Sequence, residues 1–231
     1  MFFRRRSAQA EYFDLPDRPE PETLAAFRDL DRLNRVFHFE RPFADVLPKW
    51  LGPERCAHLE ILDLGAGTGL LGRLLSVWAE ARGWHWQFTS LDSNPLPLKL
   101  GRPPRAVVGS ALTLPFDDAS FDVVVASQMT HHLTDDEIVQ HWREAWRVTR
   151  DGVFISDLHR NGGLYAMLWT ATRLMRVSRR VRQDALISVK RGFRLDEWRG
   201  LAQQANLPNP RVWLYYGTRI VLQARKGEPL R

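Results

Sequence analysis

A carboxylate followed by three glycines stands at residues 63–69, in the order Asp63-Leu64-Gly65-Ala66-Gly67-Thr68-Gly69. Glycines in such a turn let the backbone approach a ligand closely and leave N–H groups free at the start of a helix. The carboxylate of Asp63 suits a ligand that bears an ammonium group better than a pyrophosphate, although dinucleotide-binding enzymes use a similar turn. A second carboxylate, Asp92, could accept hydrogen bonds from both hydroxyls of a ribose. The alternative is that Asp92 caps a turn into Asn94.

Three histidines could remove a proton from a reacting group: His131, His132 and His159. An imidazole has an ordinary pKa of about 6.5, so it can act as a base near neutral pH. Each of the three follows a predicted strand, and the ligand crevice of an open α/β sheet lies at the carboxyl ends of its strands. The alternative is that His131 and His132 pack or cap locally at the start of the next helix. No set of metal ligands is predicted.

Alternating strands and helices must position these side chains. Apolar runs and helical periodicity predict strands at 59–64, 87–92, 106–109, 121–127 and 152–158, and helices at 70–82, 135–148 and 195–206. Thr134 and Glu137 have the spacing of a capping box at the start of the helix over 135–148. Strands that alternate with helices in this way favour a parallel sheet. Two strand-like runs around Gly217, at 211–216 and 218–224, predict a hairpin that ends the sheet with an antiparallel edge.

The flanking segments have a different character. Residues 1–52 are predicted to form an N-terminal extension with lead-in helices at 21–39 and 43–51, and residues 1–20 are expected to be extended or loosely attached. Residues 53–231 would form the main domain. Within it, the segment 160–194 is rich in arginine, with Asp184 as its one acidic residue, and carries an apolar stripe at helical spacing. We expect this segment to be a helical insert that covers a substrate, although a helix packed on the sheet with solvated arginines fits as well.

Composition excludes several classes of protein. The chain has 231 residues, a formal net charge of +6 and a hydrophobic content of 44%, which is ordinary for a globular protein and excludes a disordered or fibrous chain. Its single cysteine excludes an internal disulfide and favours a reducing, cytoplasmic location. No apolar stretch approaches the ~20 residues of a membrane span. The positive charge permits an anionic partner or a membrane surface without choosing between them.

Together the motifs resemble those of class I S-adenosylmethionine-dependent methyltransferases. The run 61–69 looks like the first motif of this family, and Leu91-Asp92 is similar to its ribose-binding second motif. The segment 114–124 resembles the ubiquinone and menaquinone biosynthesis branch. The runs 157–160 and 188–193 look like methyltransferases found beside bacterial type III polyketide synthases. The resemblance implies a Rossmann-like, mostly parallel seven-stranded sheet with an antiparallel terminal hairpin, N-terminal helices and a helical lid.

The resemblance also implies which residues would hold S-adenosyl-L-methionine. Those residues are Asp63, Gly65, Ala66, Gly67 and Gly69 around the methionine part, Asp92 and Ser93 at the ribose, Ser110, Ala111 and Leu112 at the adenine, and Ser127 and Gln128 beside the sulfonium. Ser110 departs from the family, which usually has an acidic residue there for the adenine amino group.

The leading hypothesis is O-methylation of a hydrophobic small molecule, such as a phenolic or polyketide-type acceptor. C-methylation of a quinone precursor is a second hypothesis. A nucleic-acid methyltransferase is a third, suggested by the basic insert, but the chain lacks the Asn/Asp-Pro-Pro-Tyr/Phe run of amino-methylating enzymes and has Ser127-Gln128-Met129-Thr130 there instead. A catalytically silent cofactor-binding protein is disfavoured by the intact glycine turn. Association with a membrane surface is compatible with the charge, and the sequence does not indicate an oligomeric state.

Overall fold

The computed structural model describes residues 3–15 and 19–227, so the remaining residues of the predicted extension and of the C-terminus lie outside the described part. The strands are β1 (His58–Leu64), β2 (His85–Asp92), β3 (Arg105–Val108), β4 (Phe121–Ser127), β5 (Thr149–Leu158), β6 (Arg211–Tyr215) and β7 (Arg219–Arg225). The helices are α1 (Glu20–Val36), α2 (Arg41–Leu51), α3 (Pro53–Cys56), α4 (Leu70–Glu80), α5 (Pro95–Gly101), α6 (Asp135–Val148), α7 (Gly162–Leu174), α8 (Arg179–Arg191) and α9 (Leu195–Gln204). Short 3₁₀ turns cover Tyr12–Asp14 and Thr130–His132.

The strands form one sheet in the order β3-β2-β1-β4-β5-β7-β6. β3, β2, β1, β4 and β5 are parallel neighbours, whereas β7 runs antiparallel to both β5 and β6. The predicted fold, with its parallel sheet and terminal hairpin, is therefore confirmed. The strand order reverses direction between β1 and β4, which is the place where an open α/β sheet leaves a crevice for a ligand.

Two layers of helices cover the sheet. α6 and α9 pack on one face, where Trp142 and Trp198 are fully buried with their ring centroids 5.4 Å apart. α2 and α4 pack on the other, around Phe43 and Leu75. The predicted capping box begins α6, because Thr134 accepts from the Glu137 N–H while Glu137 accepts from the Thr134 N–H. Burial on both faces explains why the central strands read as continuous apolar runs in the sequence.

The N-terminal segment is bound tightly to the rest of the protein. The Ser7 N–H donates to the Lys190 carbonyl at 3.0 Å, and the Tyr12 N–H donates to the Asp184 carboxylate at 2.9 Å. Arg160 donates to the carbonyl of Phe3 at 3.1 Å. The expectation of a loosely attached segment is wrong for residues 3–15, because its backbone finds partners on α8 that local sequence does not reveal.

The basic insert forms two helices, α7 and α8, which a turn at Met175–Ser178 separates. Several of its arginines pair with carboxylates from other segments, so Asp184 is not their only counter-charge. Arg160 is fully buried with Glu197 at 2.5 Å, Arg180 pairs with Glu22, and Arg191 pairs with Asp14. These three arginines hold the insert against the N-terminal segment, α1 and α9.

No helix in the described part of the chain combines the length and the apolar character that crossing a membrane requires.

Candidate functional site

A cavity of about 500 Å³ opens at the carboxyl ends of the parallel strands. Its walls come from the loops after β1, β2, β3 and β4, from α1 and from the insert helices α7 and α8. The N-terminal segment contributes Glu11, Phe13 and Asp14 to the same space. The cavity falls in the size range of small-molecule and cofactor sites.

The glycine turn forms one end of this cavity. Gly65, Gly67 and Gly69 all have positive φ angles, of 64°, 55° and 69°. A Cβ at Gly65 would lie 2.3 Å from a side-chain carbon of Met129, whereas a Cβ at Gly67 would meet nothing within 4 Å. Gly65 is therefore required by packing, and Gly67 leaves its backbone open toward the cavity. Gly69 starts α4 and does not line the cavity itself.

Asp92 lies beside the turn at the end of β2. One carboxylate oxygen accepts from the Gly67 N–H at 2.8 Å, and the other accepts from the Asn94 N–H at 2.9 Å. Burial raises the pKa of Asp92, although these two backbone hydrogen bonds oppose the rise. The two interpretations of Asp92 are thus compatible, because the side chain caps the turn into Asn94 and also lines the cavity.

Asp63 lies in the interior rather than on the cavity wall. Only 1% of this residue is exposed, and its Oδ2 atom has no hydrogen-bond partner among the described residues. Burial, with a further contribution from the nearby charge of Asp92, raises the pKa of Asp63 to about 8. An unpaired buried carboxyl group is costly unless a cation or a proton accompanies it.

The other predicted cofactor residues surround the same end of the cavity. The residues that line it are Ala66, Ser93, Ser110, Ala111, Leu112, Ser127 and Gln128. The Ser110 hydroxyl accepts from the Leu112 N–H at 3.1 Å, so it orders its own loop. The Gln128 side chain donates to Asn34 of α1 at 3.0 Å, which ties α1 over the end of β4.

A carboxylate holds His131 in the part of the cavity that the N-terminal segment lines, which forms its second end. Its Nδ1 lies 2.7 Å from Asp157 Oδ1, and its backbone N–H donates to Asp157 Oδ2 at 3.0 Å. Both residues are buried. Burial opposes ionisation of Asp157, but the interaction with His131 outweighs it and keeps the pKa of Asp157 below its usual value. A carboxylate at Nδ1 fixes the orientation of the ring, so that Nε2 faces Glu11.

Glu11 faces both histidines from the N-terminal segment. Its Oε1 lies 3.5 Å from Nε2 of His131, and its Oε2 lies 3.9 Å from Nε2 of His132. Ser188 donates to Oε2 at 2.7 Å, and His132 Nδ1 lies 2.6 Å from Asp14. Burial raises the pKa of Glu11 to about 7. This end of the cavity therefore places two imidazoles within 4 Å of one carboxyl group.

His159 is not brought to this cluster. Its Nδ1 lies 2.9 Å from the carbonyl oxygen of Gly217 in the β6–β7 turn, and the residue does not line the cavity. The structure thus brings together His131 and His132, whereas His159 lies against the terminal hairpin.

Sequence reasoning missed Glu11, Asp14 and Asp157 as site residues. Asp157 could have been found, since it stands near the carboxyl end of a predicted strand beside His159. Glu11 and Asp14 have no such signal, because they reach the site through long-range contacts with α8. Sequence reasoning also missed that α1 lines the cavity, with Asp31 accepting from the Thr68 hydroxyl at 2.8 Å.

Comparison with known proteins shows what this part of the chain is similar to. Residues 62–156 match a family model described as a methyltransferase domain. Over 100 residues the chain is 37% identical to the demethylmenaquinone methyltransferase of Roseiflexus castenholzii (strain DSM 13941 / HLO8), and the match covers 42% of this chain and 41% of that relative. The chain thus spans about two fifths of the length of the curated relatives it matches.

Residues 62–156 are thus similar to a methyltransferase domain. The methyltransferase fold extends over the described chain. Human N-acetylserotonin methyltransferase, solved in complex with S-adenosylmethionine, has a TM-score of 0.64 at 15% identity, with 94% of this chain and 61% of that one covered. An O-methyltransferase family 2 protein from Planctomyces limnophilus, solved with apigenin, has a TM-score of 0.60 at 17% identity, with 91% and 63% covered. At these identities the two structures demonstrate a shared fold.

The human enzyme was solved with S-adenosylmethionine, and the residues around the glycine turn of this chain fit that group. The open backbone of Gly67 permits close approach of a ligand, and Asp92 retains lone pairs that can accept from ribose hydroxyls. The unpartnered carboxyl group of Asp63 lies directly before the turn and favours a nearby ammonium group. The donor and acceptor set at this end of the cavity therefore matches the cofactor.

Proposed function

We propose that this protein transfers a methyl group from S-adenosyl-L-methionine to a hydroxyl group of a small apolar acceptor. One observation carries the proposal: a single cavity joins the glycine turn and Asp92 to the buried His131–Asp157 pair. A cofactor at the first end and a hydroxyl near the second would share one enclosed space.

The apolar part of the cavity supports an apolar acceptor. Its lining side chains come from α1, α7 and α8 and include Leu30, Leu33, Phe37, Leu164, Leu168 and Val181. Burying an apolar ring or chain against such a wall releases roughly 25 cal/mol per Å² of apolar surface.

The chemistry requires alignment and removal of a proton. Bound cofactor supplies an electrophilic methyl group on a sulfonium, and the attacking oxygen must meet it in line. His131, oriented by Asp157, is the group that we assign to accept the hydroxyl proton at Nε2. His132 and Glu11 lie beside His131 and could accept this proton before it is released to solvent.

A second candidate is C-methylation of a quinol precursor. It is favoured by the identity of 37% with a relative named demethylmenaquinone methyltransferase. Nucleic-acid methylation has less support, because Arg160, Arg180 and Arg191 are engaged by internal carboxylates.

Labelled methyl transfer tests the proposal. Purified protein is incubated with cofactor that carries a labelled methyl group and, in parallel, with an alkylated resorcinol, a demethylated naphthoquinol or an RNA. Product NMR then distinguishes a methyl group on oxygen from one on a ring carbon. Label on the oxygen of the resorcinol supports the proposal, label on the quinol carbon supports the second candidate, and label in RNA contradicts both.

A further inference from the structure

Exposed apolar side chains lie on α7, the helix whose Leu164, Met167 and Leu168 line the cavity. Trp169 is 46% exposed and Leu174 is 79% exposed, while Met167 is 38% exposed and also lines the cavity. Val36, at the end of α1, is 58% exposed. Single exposed apolar residues need no explanation, but a set of large ones on helices that line an apolar cavity marks an interaction surface.

α1 and α7 both line the cavity, and each lies next to α8. The end of α1 meets the start of α7 where Phe37 packs against Leu164 and Leu168. The start of α1 meets the turn after α7 where Ala26 packs with Val177, and the Ser178 N–H donates to Asp29 at 2.7 Å. Each helix therefore turns its inner side to the cavity and leaves its outer side exposed.

Arginines surround this apolar rim. Those exposed on the outer side of α1 are Arg28, Arg32 and Arg35, and those exposed on α7 and the turn after it are Arg173, Arg176 and Arg179. The segment from residue 160 to residue 183 contains no acidic residue. Arg173 stacks over the Trp169 ring at 3.7 Å, which brings the charge and the apolar surface together. Three carboxylates lie nearby: Asp31 accepts from Thr68, Glu22 forms a half-exposed pair with Arg180, and Asp29 lies 3.7 Å from Arg32. The remaining five arginines of the set form no ion pair with the described residues, so the surface keeps a net positive charge.

We infer that this rim, formed by the six arginines with Val36, Met167, Trp169 and Leu174, docks onto the surface of an anionic phospholipid bilayer. A helix with a tryptophan and leucine on one side and arginines beside them inserts at the headgroup boundary, where the ring is half-buried and the guanidinium groups meet phosphates. The positive charge of the arginines requires an anionic partner. RNA bases could stack on Trp169, but RNA would leave Val36 and Leu174 in water, whereas a bilayer covers both.

The acceptor class that this inference implies rests on the proposed function, whereas the docking experiment does not depend on it. A cavity that opens at the docked face could take an apolar acceptor directly from the bilayer, so the acceptor class would be a membrane-resident phenol or quinol. Docking itself needs no acceptor and no turnover.

Vesicle co-sedimentation tests the docking. The protein is mixed with vesicles of phosphatidylcholine alone or with phosphatidylglycerol in equal part, at low and at high salt. We expect binding to the anionic vesicles, with weakening at high salt because exposed charges are screened. No binding to the anionic vesicles would overturn the inference.

Two variants and their matched controls sharpen the result. The variant Arg173→Gln/Arg176→Gln/Arg179→Gln should bind anionic vesicles about 100-fold more weakly, because each basic residue near such a surface contributes roughly fivefold. The matched control, Arg82→Gln/Arg143→Gln/Arg199→Gln, changes exposed arginines away from the rim and should bind as the unchanged protein does.

The variant Trp169→Ser/Leu174→Ser tests the apolar side chains of the rim and should bind vesicles at least tenfold more weakly. Its control is Val77→Ser/Val108→Ser, which changes two other exposed apolar residues. A circular dichroism melt confirms folding of every variant. If the Trp169→Ser/Leu174→Ser variant binds vesicles normally while single-stranded RNA competes them off the unchanged protein, the rim serves a nucleic acid and the inference is wrong. Failure of methyl transfer with intact vesicle binding would instead count against the proposed function alone.

Discussion

The two ends of the cavity are built in different ways. The end with the glycine turn uses loops that follow β1, β2 and β3, so residues 63–112 supply most of it. The opposite end combines Glu11, His131 and Asp157 with side chains of α7 and α8. The first end depends on local backbone shape, whereas the second depends on contacts between distant segments. If the proposed function holds, this arrangement lets the cofactor end stay constant while the acceptor end changes.

The largest effect should come from Asp157→Asn. The amide cannot serve as the ionised partner of His131, so we expect kcat to fall by about 10²–10⁴-fold, the range of general acid–base catalysis. Cofactor Kd, measured by calorimetry, should stay within about twofold. Asp122→Asn at the other end of the sheet is the control for replacing a buried carboxylate. An equal loss of cofactor affinity would show that the two ends are not separate.

Asp92→Ala should lower cofactor affinity and leave kcat nearly unchanged, the reverse of Asp157→Asn. Removing this acceptor should weaken cofactor binding by about 1.5–3 kcal/mol, or roughly 10- to 150-fold, the value of a hydrogen bond to a charged group. The rate at saturating cofactor should change far less. Calorimetry and initial rates at two cofactor concentrations measure both quantities, and an unchanged Kd would remove Asp92 from the cofactor site.

Glu11→Gln tests whether the N-terminal segment belongs to the acceptor end. Glutamine keeps the shape and can still accept from Ser188, but it cannot exchange a proton with His131 or His132. We expect a fall in kcat of about five- to tenfold, equivalent to about 1 kcal/mol for one interaction. The pH dependence of kcat should change as well, while cofactor Kd stays constant. A pH profile identical to that of the unchanged protein would limit Glu11 to a structural role.

The raised pKa of Asp63 should make the stability of the folded protein depend on pH. Its pKa is raised by burial to about 8 in the folded protein, compared with about 4 in an unfolded chain. The folded state therefore holds a proton that the unfolded state loses, so this contribution to stability is complete below pH 4 and disappears as the pH rises through 8. Thermal melts between pH 6 and 9 should show a falling Tm without cofactor and a smaller fall in Asp63→Asn. A pH dependence equal in the two proteins would contradict the assignment.

The smallest effect should come from Ser110→Asp. The hydroxyl of Ser110 contacts its own loop, and a carboxylate could accept from the Leu112 N–H in the same way. We expect cofactor Kd to stay within about twofold or to tighten, since an acidic residue would face the adenine amino group. A large loss of affinity in calorimetry would mean that the loop after β3 does not meet the adenine.

The contrast between local backbone shape and contacts of distant segments also explains which features the sequence predicted. The strands around the glycine turn, the capping box of α6 and the terminal hairpin follow from local patterns, and the structure confirms them. The turn that divides the insert and the docking of residues 3–15 depend on side chains such as Arg160 and Arg191, whose partners are far away in the chain. Periodicity identifies which face of a helix is apolar but not which distant carboxylate an arginine meets. For that reason the glycine turn was predicted in detail, while Glu11 and the wall formed by α1 were not.

The hydrogen bond between Glu11 and Ser188 also has a consequence for biosynthesis. The two residues are 177 positions apart. During synthesis the N-terminal segment therefore cannot dock until α8 has been made. The loops of the glycine turn and Asp92 are complete much earlier, because they need only the first half of the chain. A nascent chain should therefore complete the loops proposed to bind the cofactor well before it can enclose the proposed acceptor site.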